Sequence, residues 1–399
     1  MPISLAIDLG TSRTKVGWRD ETGAIRLLDW NGSPCLPTVL FLPPTGNRIL
    51  KGQRALIAAQ DDPLGIITNL KRTVLRKGSG HVQSAHPGRH EYAQILVNSL
   101  FEYIDETCRE QIPVFAESEL DIDAPLPLEK LVITLPAASC STDSSEWLDL
   151  LRLGAKSIGL TNTSTHLVFL EEPEAVARGW LLEQGATDTS ILVIDSGGGT
   201  TDWILLISNK QGRLNPSRKI PGESEVLGGM DVDTHLHQTL RTLNPDLTER
   251  NDDRENLRNQ HHLLRRLREY KEAVLAGNEV EAFEIGGLET SITPKAVKQS
   301  YEQAYVTPLL NRLTQALAKV EQYYPDTSIL LTGGGTHEIL KQHLSSATSL
   351  RLESVDQDGL AVVRGSLVTP SQQQNGQKTA DSIGDGRPIY KPVKIKTFH

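Results

Sequence analysis

The feature that most constrains this chain is a short pattern that occurs twice, once at the N-terminus and once near the middle. Residues 3–7 (ISLAI) and 14–18 (TKVGW) are β-prone runs joined by the turn sequence DLGTSR, which predicts a β-hairpin. The same plan returns in residues 191–194 (ILVI), the turn DSGGGTTD and residues 203–207 (WILLI). Two similar hairpins so far apart indicate a duplicated half, with one hairpin in each of two lobes.

Strands and helices alternate in the rest of the chain. Apolar runs predict strands at residues 131–135, 167–170 and 328–332. Helical spacing predicts helices at about 142–157, from Pro173 to Gln184, over the charged segment 248–276 and at 337–344. This alternation is typical of an α/β architecture.

The glycine turns of both hairpins have the properties of a phosphate site. Gly10, Thr11 and Ser12 form the first glycine loop, and residues 197–200 form the second. Glycine lets the backbone approach a phosphate closely, while exposed N–H groups and hydroxyls bind the anion. An ordinary hairpin turn is the alternative for either loop alone. A P-loop or dinucleotide site is disfavoured, because neither loop leads from a strand into a helix.

Three carboxylates flank these loops. Asp8 ends the first strand of one hairpin, and Asp195 and Asp202 bracket the turn of the other. Carboxylates at such places suit Mg²⁺ held largely through water. A third glycine loop, residues 333–335, does lead from a strand into a helix. A structural turn and a nucleotide contact both remain open for it.

Composition argues against several other classes of protein. Acidic and basic residues are interspersed, with a formal net charge of -9, so nucleic-acid binding is not expected. Cys35, Cys108 and Cys140 form no C-x-x-C pair, which argues against a zinc, redox or disulfide framework. No stretch approaches the ~18 apolar residues of a membrane span, and no basic segment precedes the first apolar run. We therefore expect a cytoplasmic protein with no membrane association.

Seven segments occur in the order and spacing of one known family. They are AIDLGTS (6–12), NLKRTVLRK (69–77), VITLPA (132–137), EEPEAVARG (171–179), IDSGGGTTD (194–202), LGGMDVD (227–233) and LLTGGGT (330–336). Together they resemble the nucleotide-binding domain of Hsp70 chaperones over roughly residues 3–369. The resemblance implies the two-lobed actin/Hsp70-type ATPase fold, an α/β fold of duplicated ribonuclease H-like lobes with inserted subdomains.

The resemblance also divides the chain into domains. Lobe I is expected at residues 1–184, with 38–120 as an inserted subdomain and 350–369 completing it. Lobe II is expected at 185–349, with 225–305 inserted. Residues 370–399 are polar, which predicts a disordered tail. An apolar linker and a substrate-binding domain like those of Hsp70 chaperones are not expected.

Matched residue by residue, the resemblance implies a site for ATP or ADP and Mg²⁺ between the lobes. It gives Lys71 the tasks of placing the attacking water and stabilising charge on the γ-phosphate. Asp195 would orient that water, Glu172 would organise the metal's water molecules, and Thr200 would bind the γ-phosphate. Without the family, Lys71 is a solvated lysine in a basic run, and Glu172 an acid at a helix N-terminus.

The remaining matched positions bind the metal or the nucleotide. Asp8 and Asp202 are expected to hold Mg²⁺ through water. The nucleotide contacts are expected at Gly10, Thr11, Ser12, Arg13, Gly197, Gly198, Gly199, Thr200, Gly228, Gly229, Lys271, Gly333, Gly334, Gly335 and His337.

Most departures from the family pattern fall at positions expected to surround the nucleotide base. Arg268 stands where the family has a glutamate, Leu275 stands near the usual serine, and His337 replaces an arginine that stacks on the base. Nearer the phosphates, Arg13 follows the first glycine loop, and Met230 replaces a glutamate. Phosphate binding is expected to survive these two changes.

The resemblance favours one function and leaves an alternative open. The favoured function is a stand-alone Hsp70-like ATPase that binds Mg·ATP and uses slow hydrolysis to switch a protein partner. The alternative is a nucleotide-sensing scaffold without hydrolysis, or an actin-like assembly protein. A sugar or acetate kinase ranks last, because no further carboxylate is available to activate a substrate hydroxyl. The sequence does not identify the partner or the oligomeric state.

Overall fold

The computed structural model of the chain describes residues 3–20, 22–46, 48–86, 88–113, 128–137, 145–157, 165–185, 188–243, 254–284, 291–355 and 360–368. Several expectations lie outside these residues. They are the start of the helix predicted at 142, the helical residues 248–253, Cys140 and the tail at 370–399.

The first sheet is built around the first hairpin. In spatial order its strands are His166–Glu171, Leu128–Leu135, Ile3–Leu9, Arg13–Arg19 and Ile25–Leu27, with Leu36–Pro37 also paired to Arg13–Arg19. The first three run parallel, and the next two pair antiparallel. Every residue of Ile3–Leu9 is buried, as expected of a strand covered on both faces.

The second sheet repeats this arrangement around the second hairpin. Its strands are Arg351–Ser354, Ser328–Thr332, Ser190–Ser196, Thr201–Ser208 and Leu214–Pro216, with Glu223–Glu225 also paired to Thr201–Ser208. Again three parallel strands are followed by two antiparallel ones. The matching order and direction confirm the duplicated, two-lobed α/β fold predicted from the sequence.

Helices and small strand groups complete the described chain. The helices are Gly52–Asp61, Leu70–Lys77, Ala93–Gln111, Ser145–Ser157, Glu172–Gln184, Gly229–Leu243, Arg254–Leu275, Pro294–Tyr301, Thr307–Tyr323, Glu338–Ala347 and Ala361–Ser366, with a 3₁₀ turn at Pro63–Gly65 and a π-helical turn at Glu302–Val306. The small sheets comprise Leu40–Phe41, Leu50–Lys51 and Ile66–Ile67, then His81–Gln83 with His90–Tyr92, and Phe283–Glu284 with Ser291–Ile292. None of the described helices is both long and apolar enough to cross a bilayer.

A shared core joins the two sheets. Apolar side chains of both central strands meet there, including Ala6 from the first sheet and Val193 from the second. The helices Glu172–Gln184 and Ala361–Ser366 lie in the same core. They approach so closely that a Cβ at Gly365 would overlap the carbonyl oxygen of Ala175. The two hairpin turns are thereby held against each other.

Candidate functional site

The two glycine loops face each other across the space between the sheets. A Cβ added at Gly198 would lie 2.6 Å from the hydroxyl oxygen of Ser12, and one at Gly199 would lie 2.6 Å from that of Thr11. Any side chain there would push the loops apart, so glycine is required for this approach. The structure thus brings together two loops that are almost 190 positions apart in the sequence.

Backbone hydrogen bonds tie two further segments to the second glycine loop. The N–H of Met230 donates to the carbonyl of Gly198 at 2.9 Å, and that of Gly229 to the carbonyl of Gly197 at 3.2 Å. From the third glycine loop, the N–H of Gly335 donates to the carbonyl of Ser196 at 2.7 Å. Three of the matched sequence segments therefore meet at one place.

The third glycine loop packs against the end of the second hairpin. Gly333 has a φ of +88°, a backbone conformation that other residues rarely adopt, and a Cβ there would overlap the carboxylate of Asp195. A Cβ at Gly335 would overlap the hydroxyl of Ser196, whereas one at Gly334 would meet nothing within 4 Å. Gly334 thus leaves open space beside the loop.

A buried ion pair lies beside the two facing loops. The ammonium of Lys71 donates to Oε1 of Glu172 at 2.6 Å, and both side chains are buried. The helix Leu70–Lys77 positions the lysine, and Glu172 begins the helix Glu172–Gln184 next to Pro173. Burial alone would lower the pKa of Lys71, but the attraction of Glu172 and Asp202 outweighs it and raises that pKa.

Two carboxylates predicted to hold magnesium already have protein partners. Asp8 accepts from the ammonium of Lys15 at 3.2 Å and from the hydroxyl of Thr134 at 3.3 Å. Asp202 accepts from the backbone N–H of Ala137 at 3.0 Å. Since Ala137 follows a strand of the first sheet, this last bond joins the two sheets at the site.

The clustered acids shift one another's protonation. Burial raises the pKa of Asp195 well above its usual range, and the charges of Glu172, Asp202 and Asp8 raise it further. Burial and Glu172 also raise the pKa of Asp202 to about 7, although Lys71 opposes them. Like charges confined away from water repel, and a cation bound among them relieves that repulsion.

The donor set fits a nucleotide and a hard cation. Buried carboxylate oxygens are the ligands that Mg²⁺ prefers, and the side-chain-free face of the glycine loops suits a phosphate. Among the described residues, no three His, Cys, Asp or Glu side chains lie close enough together to coordinate a metal ion directly. The roles of Asp8 and Asp202 toward a metal stay predictions.

At the end of the site where the nucleotide base is predicted to lie, two of the predicted contact residues, Lys271 and Gly229, are hydrogen-bonded to each other. The ammonium of Lys271 donates to Asp233 at 2.5 Å and to the carbonyl of Gly229 at 3.2 Å. Arg268, which replaces a family glutamate, donates to the other carboxylate oxygen of Asp233 at 2.9 Å. Asp233 therefore takes part in holding Lys271, a role that the sequence interpretation missed.

His337 lies against an aromatic ring at the third glycine loop. Its imidazole meets the ring of Tyr301 edge to face, with centroids 5.3 Å apart. Burial lowers the pKa of His337 to about 4, and the positive charge of Lys271 contributes. The imidazole is therefore neutral at pH 7.

Two tyrosines beside the π-helical turn hold the glycine loops from behind. The hydroxyl of Tyr305 shares hydrogen bonds with the hydroxyls of Ser196 and Thr201, the latter at 2.8 Å. The hydroxyl of Tyr301 donates to the carbonyl of Gly335 at 2.6 Å. Both rings are buried. π-Helical turns often mark functional sites, but nothing in the sequence pattern indicated this one.

Ion pairs between described residues cross the cleft at its outer side. Arg72 bonds Asp231 at 2.6 Å, with side chains only 7% and 24% exposed. Arg13, a predicted nucleotide contact, lies 3.7 Å from Glu272, and its side chain is 63% exposed. A well-exposed pair of this kind contributes little, so Arg72–Asp231 is the stronger connection.

Comparisons with known proteins find similar chains among heat-shock and chaperone proteins. The chain is 28% identical over 252 residues to heat shock 70 kDa protein 13 of Homo sapiens, covering 60% of this chain and 50% of that protein. It is 30% identical over 242 residues to the chaperone protein HscA homolog of Tolumonas auensis, covering 58% of this chain and 36% of that protein. A Shewanella HscA homolog is 27% identical over 308 residues, which cover 70% of this chain and 43% of that protein. No protein-family model matches the chain.

The matched region spans half or less of each of these relatives. The Hsp70 family was also the one expected from the seven sequence segments. These similarities support an Hsp70-family nucleotide-binding domain in this chain.

Proposed function

We propose that this chain binds Mg·ATP between its two sheets and hydrolyses it slowly, so that the bound nucleotide switches a protein partner. The observation that carries the proposal is the close approach of the two glycine loops beside the buried Lys71–Glu172 pair. The second loop has no side chain at Gly198 and Gly199, and the first loop presents the hydroxyls of Thr11 and Ser12 to it. The similarity to Hsp70 chaperones adds support.

Some residues of the site bind the nucleotide, and others take part in its hydrolysis. The backbones of the first and second glycine loops bind the phosphates from opposite sides, and the hydroxyl of Thr200 binds the terminal one. Lys71 stabilises charge that develops on the transferred phosphoryl group, and Asp195 orients the attacking water. When bound, Mg²⁺ neutralises part of the triphosphate charge.

The same geometry links the nucleotide to movement of the lobes. Each glycine loop belongs to a different sheet, so a ligand that touches both loops favours the closed arrangement over an open one. Hydrolysis removes one of the groups that spans the loops, and the closed arrangement loses part of its stabilisation. A partner that recognises the angle between the lobes then senses the nucleotide.

The proposal is tested first by calorimetric titration with ATP and Mg²⁺, where we expect one saturable site. Gly198→Val should abolish binding, since its side chain would meet Ser12 where the loops approach. Gly80→Val is the matched control, because a Cβ at Gly80 meets nothing within 4 Å. No heat and no thermal shift at millimolar ATP would refute nucleotide binding. Binding without any turnover would instead favour the nucleotide-sensing scaffold.

A further inference from the structure

A further lysine, partly buried, lies in the site at a place that none of the matched motifs assigns. Lys15 lies on the strand Arg13–Arg19, directly across the hairpin from Asp8. Its ammonium approaches Oδ2 of Asp8 to 3.2 Å, and its side chain is only 15% exposed. The first glycine loop connects the strands that carry this pair, so the ammonium lies at the base of that loop.

The charges around Lys15 explain why a lysine is stable there. Four carboxylates, those of Asp8, Glu172, Asp195 and Asp202, are buried at the site, and Lys71 is already paired with one of them. Lys15 therefore places a positive charge within the acidic cluster, in contact with Asp8.

The ammonium is only partly used by the protein. It has three donor hydrogens, and Asp8 is the one acceptor that the described residues offer to it. The other carboxylate oxygen of Asp8 accepts from Thr134. Asp8 is thus occupied on both oxygens, whereas Lys15 retains hydrogens for a ligand.

We propose that Lys15 is a built-in cation that binds the phosphates at the first glycine loop and takes over part of the charge neutralisation otherwise supplied by Mg²⁺. This inference rests on the proposed function and sharpens it. An ammonium and a phosphate form a charge-assisted hydrogen bond. The same ammonium repels a divalent cation next to Asp8 and competes with it for that carboxylate. The nucleotide affinity of this chain therefore depends only weakly on magnesium.

The experiment measures ATP affinity calorimetrically with Mg²⁺ and with excess EDTA. For the wild type we expect removal of Mg²⁺ to weaken binding by less than about tenfold. For Lys15→Met we expect a loss of about 10²-fold in EDTA, the size that one charged hydrogen bond corresponds to. Mg²⁺ should restore most of that loss. Lys15→Arg should behave as the wild type, because it keeps the charge.

A second readout does not involve the nucleotide. Titrated with Mg²⁺ alone, Lys15→Met should bind the metal several-fold more tightly than the wild type, because Asp8 is released and the repulsion is gone. Lys51→Met is the matched control, because Lys51 pairs with Glu102 on another face of the protein. It should change neither measurement.

The outcomes separate this inference from the proposed function. Absence of ATP binding by the wild type in Mg²⁺ refutes both. Wild-type binding that falls 10²-fold or more in EDTA overturns the role of Lys15 and leaves the nucleotide site standing. Equal losses for wild type and Lys15→Met in EDTA overturn it as well. If Lys15→Met does not fold, the wild-type comparison decides alone.

Discussion

The ion pair between Arg72 and Asp231 gives the sharpest prediction about cleft closure. Arg72 lies on the helix Leu70–Lys77, and Asp231 lies on Gly229–Leu243 at the opposite side of the cleft. Their side-chain atoms are 2.6 Å apart, and the second oxygen of Asp231 accepts from the N–H of Gly228 at 2.8 Å. Asp231→Asn keeps an acceptor for Gly228 but removes the charge that Arg72 needs.

The size of the effect follows from burial. Removing one partner of a fully buried pair costs about 3–5 kcal/mol, and partial exposure of Asp231 reduces this to about 1.5–3 kcal/mol, since water screens the charge. The pair spans the cleft, so this energy stabilises the closed arrangement and is absent from an open one. At 1.4 kcal/mol per factor of ten, nucleotide release should accelerate by about 10–10²-fold.

Stopped-flow release of a fluorescent ADP analogue measures this rate directly. In the double variant Arg72→Met/Asp231→Asn, the acceleration of nucleotide release should not exceed the combined acceleration of the two single variants, because the two partners act as one unit. Arg76→Met is the control: its side chain is 52% exposed and 3.9 Å from Asp231, so it should change release less than about threefold. Release from Asp231→Asn within twofold of the wild type would refute the idea that this pair holds the cleft closed.

Two further predictions concern catalysis and pH. Lys71→Ala and Asp195→Asn should each lower single-turnover hydrolysis of radiolabelled ATP by about 10² or more, while ATP affinity persists on the glycine-loop backbones; wild-type turnover equal to that of both variants would remove the enzymatic assignment. The pKa of His337 is about 4 in the folded chain against 6.5 for an ordinary histidine, so the unfolded chain takes up a proton first as pH falls. Its contribution to stability is present above pH 6.5 and is lost between 6.5 and 4. Between pH 7 and 5, urea unfolding should therefore show about 2 kcal/mol more loss for the wild type than for His337→Gln, and parallel losses would contradict the burial of that imidazole.

Much of the fold could be predicted because its signals are local. The hairpins at Ile3–Leu9 with Arg13–Arg19 and at Ser190–Ser196 with Thr201–Ser208 follow the apolar runs closely. The strand Ser328–Thr332 agrees residue for residue with the prediction. Backbone propensity and burial on both faces act over a few consecutive residues. Such runs can therefore be recognised in the sequence alone. The helices Ala93–Gln111 and Thr307–Tyr323 were not predicted, although each buries one face.

The candidate site was predictable where short motifs carry it. Asp8, the glycine loops, Lys71 and Glu172 were all named from the sequence, and the structure brings them together. Whether they bind and hydrolyse ATP stays a proposal. The sequence by itself thus determined the repeated hairpin, the α/β class and the residues at the bottom of the cleft.

Only the tertiary structure decided which side chains support those residues. Lys15 lies beside Asp8 because the hairpin register places the two residues across from each other. Tyr305 reaches Ser196 from more than a hundred positions away, and Asp231 meets Arg72 across 159 positions. Such contacts arise when separate elements pack, and their energies depend on burial and distance rather than on sequence neighbours. One-dimensional patterns reveal the groups that touch a ligand through recurring motifs, whereas the groups that hold them in place appear only once the chain has folded.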